Sequence, residues 1–188
     1  MNLSILLRYG IMAVVVVALV FVTQAFVVKP YRIPSTSMER TLMVGDRVLV
    51  NRFVYHFRSV RRGDIVVFKW PRNRKIVFVK RVIGLPGDTL SLSDGHLFVN
   101  GVMQTESYVA RQDGKPLPTL AAPVMDGSTV ANAWSLQEPY KVPAGHYFMM
   151  GDNRAVSDDS RVWGPISKSD IIGGAFFIYW PFSRVKVL

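Results

Sequence analysis

The sequence predicts a mainly β protein behind a single N-terminal transmembrane helix, and three observations predict it. An apolar run occupies residues 9–28. Short β-branched runs separated by turn residues fill most of the remaining chain, with no helical spacers between them. One of these, Ile76-Val77-Phe78-Val79-Lys80-Arg81-Val82-Ile83, carries a lysine on a face that is otherwise apolar.

The first run has only Thr23 and Gln24 as polar members. Its length, about 20 residues, is what a helix needs to cross a bilayer core. A removable secretory signal is the alternative, with residues 11–22 as its apolar region and Thr23-Gln24-Ala25 as its cleavage site. The run continues past Ala25 to Val28, which favours a retained anchor, and either reading puts the rest of the chain outside the cytoplasm. Arg8 precedes the run, and Lys29 and Arg32 follow it, so flanking charge does not fix orientation. The chain divides on this basis into an anchor, residues 1–29, and a β-rich domain, residues 30–188.

Charge and composition narrow the partners. A formal net charge of +10 on 188 residues suits an anionic partner. Nucleic acid and acidic lipid both qualify, but the basic stretches at residues 58–62 and 72–75 accompany no nucleic-acid recognition motif. With a membrane beside the domain, the charge reads as facing a phospholipid bilayer. The chain has no cysteine, which excludes disulfides, thiol catalysis and cysteine-ligated zinc. It also lacks a His-Glu-x-x-His segment, so we expect no metal and no cofactor.

Within the domain, residues 47–50, 64–68 and 76–83 read as strands. Thr89-Leu90-Ser91-Leu92-Ser93 and His96-Leu97-Phe98-Val99 form a hairpin through Asp94-Gly95, and Asn100-Gly101 begins a further turn. Both dipeptides supply the positive φ angles that such turns need. Pattern then fades over residues 104–140, an insertion that reads equally as a functional loop or a solvated excursion. Residues 146–150 and 171–180 restore it as strands; the latter run is too short to span a membrane. Phe177, Tyr179, Trp180 and Phe182 could still touch a membrane interface.

Three segments carry chemistry. In an extended chain Ile76, Phe78, Lys80 and Val82 share a face, and burial there would lower the lysine's pKa and free a neutral amine to act as a general base. The ordinary reading of a lone strand lysine is a charge that blocks edge-to-edge pairing. Arg81, on the opposite face, suits that solvated role better. Upstream, in Pro34-Ser35-Thr36-Ser37-Met38, two serines two apart in an extended segment can face one pocket. One hydroxyl could then attack while the other, with a backbone N–H, donates to an oxyanion. Taken alone, that segment is common turn chemistry. The third segment, residues 151–161, reads alone as a polar loop with Asx-turns and an acid-base pair.

Together, in this order behind an anchor, these segments resemble type I signal peptidase, the bacterial leader peptidase family. The likeness rests on Pro34-Ser35-Thr36-Ser37-Met38 with Thr41-Leu42, Gly45-Asp46, Arg62-Gly63-Asp64-Ile65-Val66-Val67-Phe68, and Lys80-Arg81-Val82-Ile83-Gly84-Leu85-Pro86-Gly87-Asp88. Gly151-Asp152-Asn153-Arg154 with Ser157, Asp159, Ser160 and Arg161 completes it. The resemblance implies an inner-membrane, single-pass serine endopeptidase whose all-β catalytic domain lies on the extracytoplasmic side and removes signal peptides. Ser37 matches the nucleophile and Lys80 the general base. Ser35 matches the side chain completing the oxyanion hole, and Ser157 the hydroxyl that orients the lysine. Asp159 and Arg161 match a structural pair, while Asp152, Arg154 and Arg81 match supporting positions. Implied substrates are preproteins with small residues at −1 and −3, and the export machinery is an implied partner. Ile33, Met38, Leu42, Phe78 and Val79 are assigned as pocket walls. Two departures stand out: Arg40 where the family usually has proline, and Ala155-Val156 in place of a more polar pair.

Other chemistries find less support. His56, His96 and His146 could serve a Ser-His-Asp triad, but no Gly-x-Ser-x-Gly elbow exists. The Ser-x-x-Lys match at Ser183 and Lys186 lies at the extreme C-terminus. A self-cleaving Ser/Lys regulator shares the chemistry but would carry a DNA-binding domain in place of the anchor. A membrane-tethered assembly protein on an inactive scaffold would lack Ser37 or Lys80.

Overall fold

The computed structural model describes residues 3–112, 115–116, 118–120, 124–125, 128–129 and 134–188. Residues 113–114, 117, 121–123, 126–127 and 130–133 of the 104–140 insertion lie outside them. Helix α1 (Leu3–Phe26) covers 24 residues. The side chains described in it without interruption are those of residues 7–21, all exposed. Among the described residues no helix is long and apolar enough to cross a membrane.

The β-branched runs between turn residues form the strands expected of them. Strand β1 (Val28–Arg32) follows α1 directly, and then come β2 (Arg47–Asn51), β3 (Ile65–Trp70) and the long β4 (Asn73–Gly84). Strands β5 (Thr89–Ser93) and β6 (His96–Val99) form the hairpin, followed by β7 (Val102–Met103). Asp94 and Gly95 have φ of 49° and 75°, and Asn100 and Gly101 of 53° and 78°. Two successive positive φ values give the primed turn whose twist suits a two-residue hairpin loop. In the insertion, β8 (Arg111–Gln112) pairs with β9 (Lys115–Pro116), and β10 (Val124–Met125) with β11 (Ser128–Thr129). Strand β12 (Tyr140–Lys141) returns to β5. The chain closes with β13 (His146–Met150), β14 (Ile166–Ser167), β15 (Ile171–Trp180) and β16 (Lys186–Val187). Short helices α2 (Val54–Phe57) and α3 (Ser160–Trp163) sit between strands.

The main sheet is antiparallel, in the order β1-β2-β15-β3-β4-β13-β14 with β16 also on β15, and β12-β5-β6-β7 make a second sheet. The main sheet curls. Ile33, just past β1, packs in one buried cluster with Val48 and Val50 of β2, Val67 of β3, Ile178 of β15 and Val79 of β4. The first and fifth strands of the order therefore face each other across a core. Close approach is needed where β15 meets the end of β2: a Cβ on Gly173 would lie 2.4 Å from the Asn51 carbonyl oxygen.

Strand β4 belongs to three cores. Phe78 and Val82 pack with Phe68, Met149 and Trp163. Val79 faces the curled interior, and Ile83 joins Leu90, Phe148 and Met150 under the second sheet. Each fully buried aliphatic or aromatic side chain contributes about 1.5–3 kcal/mol. Lys80 and Arg81 lie where these cores meet, and both are buried.

Candidate active site

Lys80 is 4 % exposed and pairs with Val66 across β3 and β4. Its Nζ lies 5.6 Å from the centre of the Phe78 ring. Burial pushes the amine's pKa down to about 8, while the Asp159 and Asp158 carboxylates oppose the shift and Arg161 adds to it. Loss of water costs the ammonium more than two nearby carboxylates return. An edge-blocking charge would be solvated; this lysine is not.

The serine segment departs from the extended conformation that the sequence suggested. Ser35 is extended, with φ −132° and ψ 162°, but Thr36–Met38 form a turn of 3-10 helix. The two hydroxyls still converge, with Oγ atoms 3.3 Å apart. The turn swings Met38 and Leu42 inward, and both are fully buried in the curled core. Asn153 fixes it from across the chain, its backbone N–H donating to the Ser37 carbonyl at 3.1 Å. Arg40 has φ 83°, which a proline ring, fixed near −65°, cannot adopt.

Ser37 and Lys80 open onto one cleft of about 360 Å³. Residues 31–37 form one wall and residues 76–80 the other, with Val67, Val156 and Asp158 completing it. Of the assigned pocket residues, Ile33, Phe78 and Val79 line the cleft. Met38 and Leu42 do not, because the helical turn points them into the core beneath. Sequence reading missed Tyr31, Ile76, Val77, Val156 and Asp158. Strand alternation could have flagged Ile76, which shares a face with Phe78 and Lys80. Nothing in the sequence separates Asp158 from an ordinary loop acid, yet burial raises its carboxyl pKa.

The loop at residues 151–161 is a buried ionic scaffold. Asp159 and Arg161, both fully buried, form a two-pronged pair with Nε–Oδ1 and Nη2–Oδ2 each 2.8 Å. Burial raises the Asp159 carboxyl and Arg161 outweighs it, leaving the pKa lowered. Breaking such a pair strands a charge and costs about 3–5 kcal/mol. Arg154 is fully buried too and donates to the Glu106 carboxylate.

Arg81 corrects the sequence reading. It is buried rather than solvated, donates to Asp152 at 2.8 and 2.6 Å, and stacks 4.0 Å from the centre of the Tyr108 ring. The opposite face of β4 is covered by the insertion, which strand alternation cannot foresee.

Ser157 is fully buried, and its Oγ has no hydrogen-bond partner among the described residues. A buried hydroxyl left unpaired costs about 1–3 kcal/mol. It meets Ser37 over Gly151: a Cβ there would lie 2.2 Å from Ser157 Oγ and 2.4 Å from the Ser37 carbonyl oxygen.

A serine hydroxyl and a desolvated amine thus lie on one cleft. His56, His96 and His146 do not line that cleft. The chain belongs to the signal peptidase family, peptidase S26, whose profile matches residues 6–180. It is 35% identical over 229 residues to the signal peptidase I of Pseudomonas aeruginosa, covering 97% of this chain and 79% of that protein. It is 41% identical over 146 residues to signal peptidase I V of Bacillus subtilis, covering 76% of this chain and 80% of the other. A crystal structure of a signal peptidase I from Enterococcus faecalis is 35% identical, with a TM-score of 0.49, covering 62% of this chain and 97% of that one. The chain is accordingly a serine endopeptidase, a hydrolase.

Proposed function

We propose that this protein removes N-terminal signal peptides from exported preproteins, with Ser37 as nucleophile and neutral Lys80 as general base. The observation that carries the reading is the buried amine of Lys80 on the same cleft as Ser37, in a chain of this family. The Ser37 oxygen attacks the scissile carbonyl carbon while its proton passes to Lys80 Nζ. The tetrahedral oxyanion is held by the Ser37 backbone N–H and the Ser35 hydroxyl; the 3.3 Å between the Ser35 and Ser37 Oγ atoms supports that role. Collapse breaks the C–N bond, and the Lys80 proton goes to the leaving amine. Water, deprotonated in turn by Lys80, then attacks the ester, and collapse of that intermediate breaks the C–O bond to Ser37 as the proton returns to its oxygen. Ser157 orients the amine, and the Asp152, Arg154, Asp159, Arg161 and Arg81 scaffold holds Ser157.

Substrate binds as an extended strand between the two walls of the cleft, where main-chain hydrogen bonds supply affinity and shallow pockets select small residues at −1 and −3. Residues 1–29 anchor the enzyme and residues 30–188 carry the chemistry on the extracytoplasmic side. Two things support the anchor: the apolar run at residues 9–28, and a helix backbone of 24 residues.

The test incubates detergent-extracted protein with a purified preprotein beside a Ser37→Ala variant. Cleavage by the wild type alone is expected. Equal cleavage by both removes the assignment.

A further inference from the structure

Residues 104–120 begin the stretch that the sequence leaves without pattern, yet four arginines around the site reach into it. Arg40 donates to the carbonyls of Ser107 and Val109 at 2.9 and 3.0 Å. Arg81 stacks on Tyr108, whose hydroxyl donates to Glu106 Oε1 at 2.8 Å. Arg161 Nη1 donates to the Leu120 carbonyl at 2.8 Å. Arg154 donates from Nη1 to Glu106 Oε2 at 2.8 Å and to Thr119 Oγ1 at 2.7 Å, and from Nη2 to Glu106 Oε1. The Ala110 N–H donates in turn to the Asp152 carbonyl at 3.0 Å. A solvated excursion would not be tied down through three buried cations, Arg81, Arg154 and Arg161.

Glu106 differs from the other tethers because it supplies charge. Among the described residues it is the one carboxylate hydrogen-bonded to the fully buried Arg154. We infer that Glu106 is a positioning residue for the Ser37 reaction: by neutralising Arg154 it fixes the main chain at Gly151, where Ser157 and the Ser37 carbonyl meet. The inference rests on the peptidase reading above.

The path is short. Arg154 Nε donates to the Gly151 carbonyl at 3.0 Å, and the Gly151 N–H donates to Asp159 Oδ2 at 3.1 Å. Gly151 is thus held at both ends, with no room at its Cα for displacement toward Ser157 or Ser37. Without Glu106, the guanidinium has Asp159 as its remaining electrostatic partner among the carboxylates. Asp159 also acts on Lys80, together with Asp158, Asp152 and the opposing Arg161. Uncompensated positive charge at Arg154 therefore both loosens Gly151 and makes the Lys80 ammonium less stable.

Glu106→Gln keeps the shape and removes the charge. We expect kcat to fall by about 10- to 100-fold with KM within about twofold of wild type, the pattern of a loss felt in the transition state. We also expect the acid limb of the rate to move to lower pH, which a merely structural contact would not cause. A folded Glu106→Gln enzyme with wild-type kcat and limb overturns the inference. If that variant fails to fold, Glu106→Asp, which keeps the charge on a shorter arm, is measured in its place. A lowered kcat at unchanged KM then supports the inference, and a wild-type kcat overturns it. Wild type and Ser37→Ala run alongside: equal cleavage by these two sinks the peptidase reading itself, whereas their separation with an unaffected Glu106 variant sinks this inference alone.

Discussion

Replacing Asp158 by asparagine should make the enzyme faster at neutral pH. The Lys80 amine titrates at about 8. At pH 7 about one molecule in eleven then holds it neutral, against roughly one in 2,500 for an ordinary lysine near 10.4. Asp158 lines the cleft, and its carboxylate, after that of Asp159, stabilises the ammonium form. A close opposite charge shifts a pKa by about 1–3 units, and partial exposure of Asp158 reduces this to about half a unit to one unit. Removing that charge lowers the Lys80 pKa to about 7–7.5 and raises the neutral fraction at pH 7 to between about a quarter and a half. Initial rates of preprotein cleavage from pH 5.5 to 10 give the free-enzyme limb through kcat/KM. We expect a gain of about three- to fivefold at pH 7 and little change above pH 9. A limb that stays in place, or moves to higher pH, would refute the electrostatic account of Lys80.

Two further outcomes come from the same geometry. Because the folded pKa of Lys80 lies below its unfolded value, the unfolded chain binds more protons between pH 8 and 10.4, and stability rises with pH through that window. Below pH 8 the full cost of the buried charge is present, about 3 kcal/mol from the size of the shift. Lys80→Met should therefore abolish cleavage yet stabilise the fold at pH 7 by about 1–3 kcal/mol, discounted for the carboxylates that lose a cation. A lower denaturant midpoint would contradict this. Gly151→Ala drives a methyl to 2.2 Å from Ser157 Oγ and 2.4 Å from a backbone oxygen. Its cleavage rate should drop at least about 100-fold, with stability lower by about 1–3 kcal/mol, and near-normal kinetics would mean that the loop tolerates movement.

Strands and turns were legible because local chemistry fixes them. Asp94-Gly95 and Asn100-Gly101 dictate primed turns whatever surrounds them, and the β-branched runs between turn residues became β2, β3 and β4. The odd polarity of Lys80 was likewise visible in its own strand. What could not be read was set by distant partners. The helical turn at Thr36–Met38 is held through the Ser37 carbonyl by Asn153, and it sends Met38 and Leu42 into the core. Arg81 looked solvated because alternation assigns a face but not what covers it; Asp152 and Tyr108 do. Arg154 and Glu106 gave no sequence sign of their pairing, since the acid lies in the segment without pattern.

The central claim is that Lys80 is an amine able to be neutral at working pH, and its titration can be watched directly. Lysine labelled with ¹⁵N at Nζ, in the full-length Ser37→Ala protein to prevent turnover, gives a resonance assigned by its loss in Lys80→Met. The account predicts a midpoint at about 8. A midpoint at the ordinary lysine value near 10.4 would contradict it, because the amine would then be protonated when the base is needed.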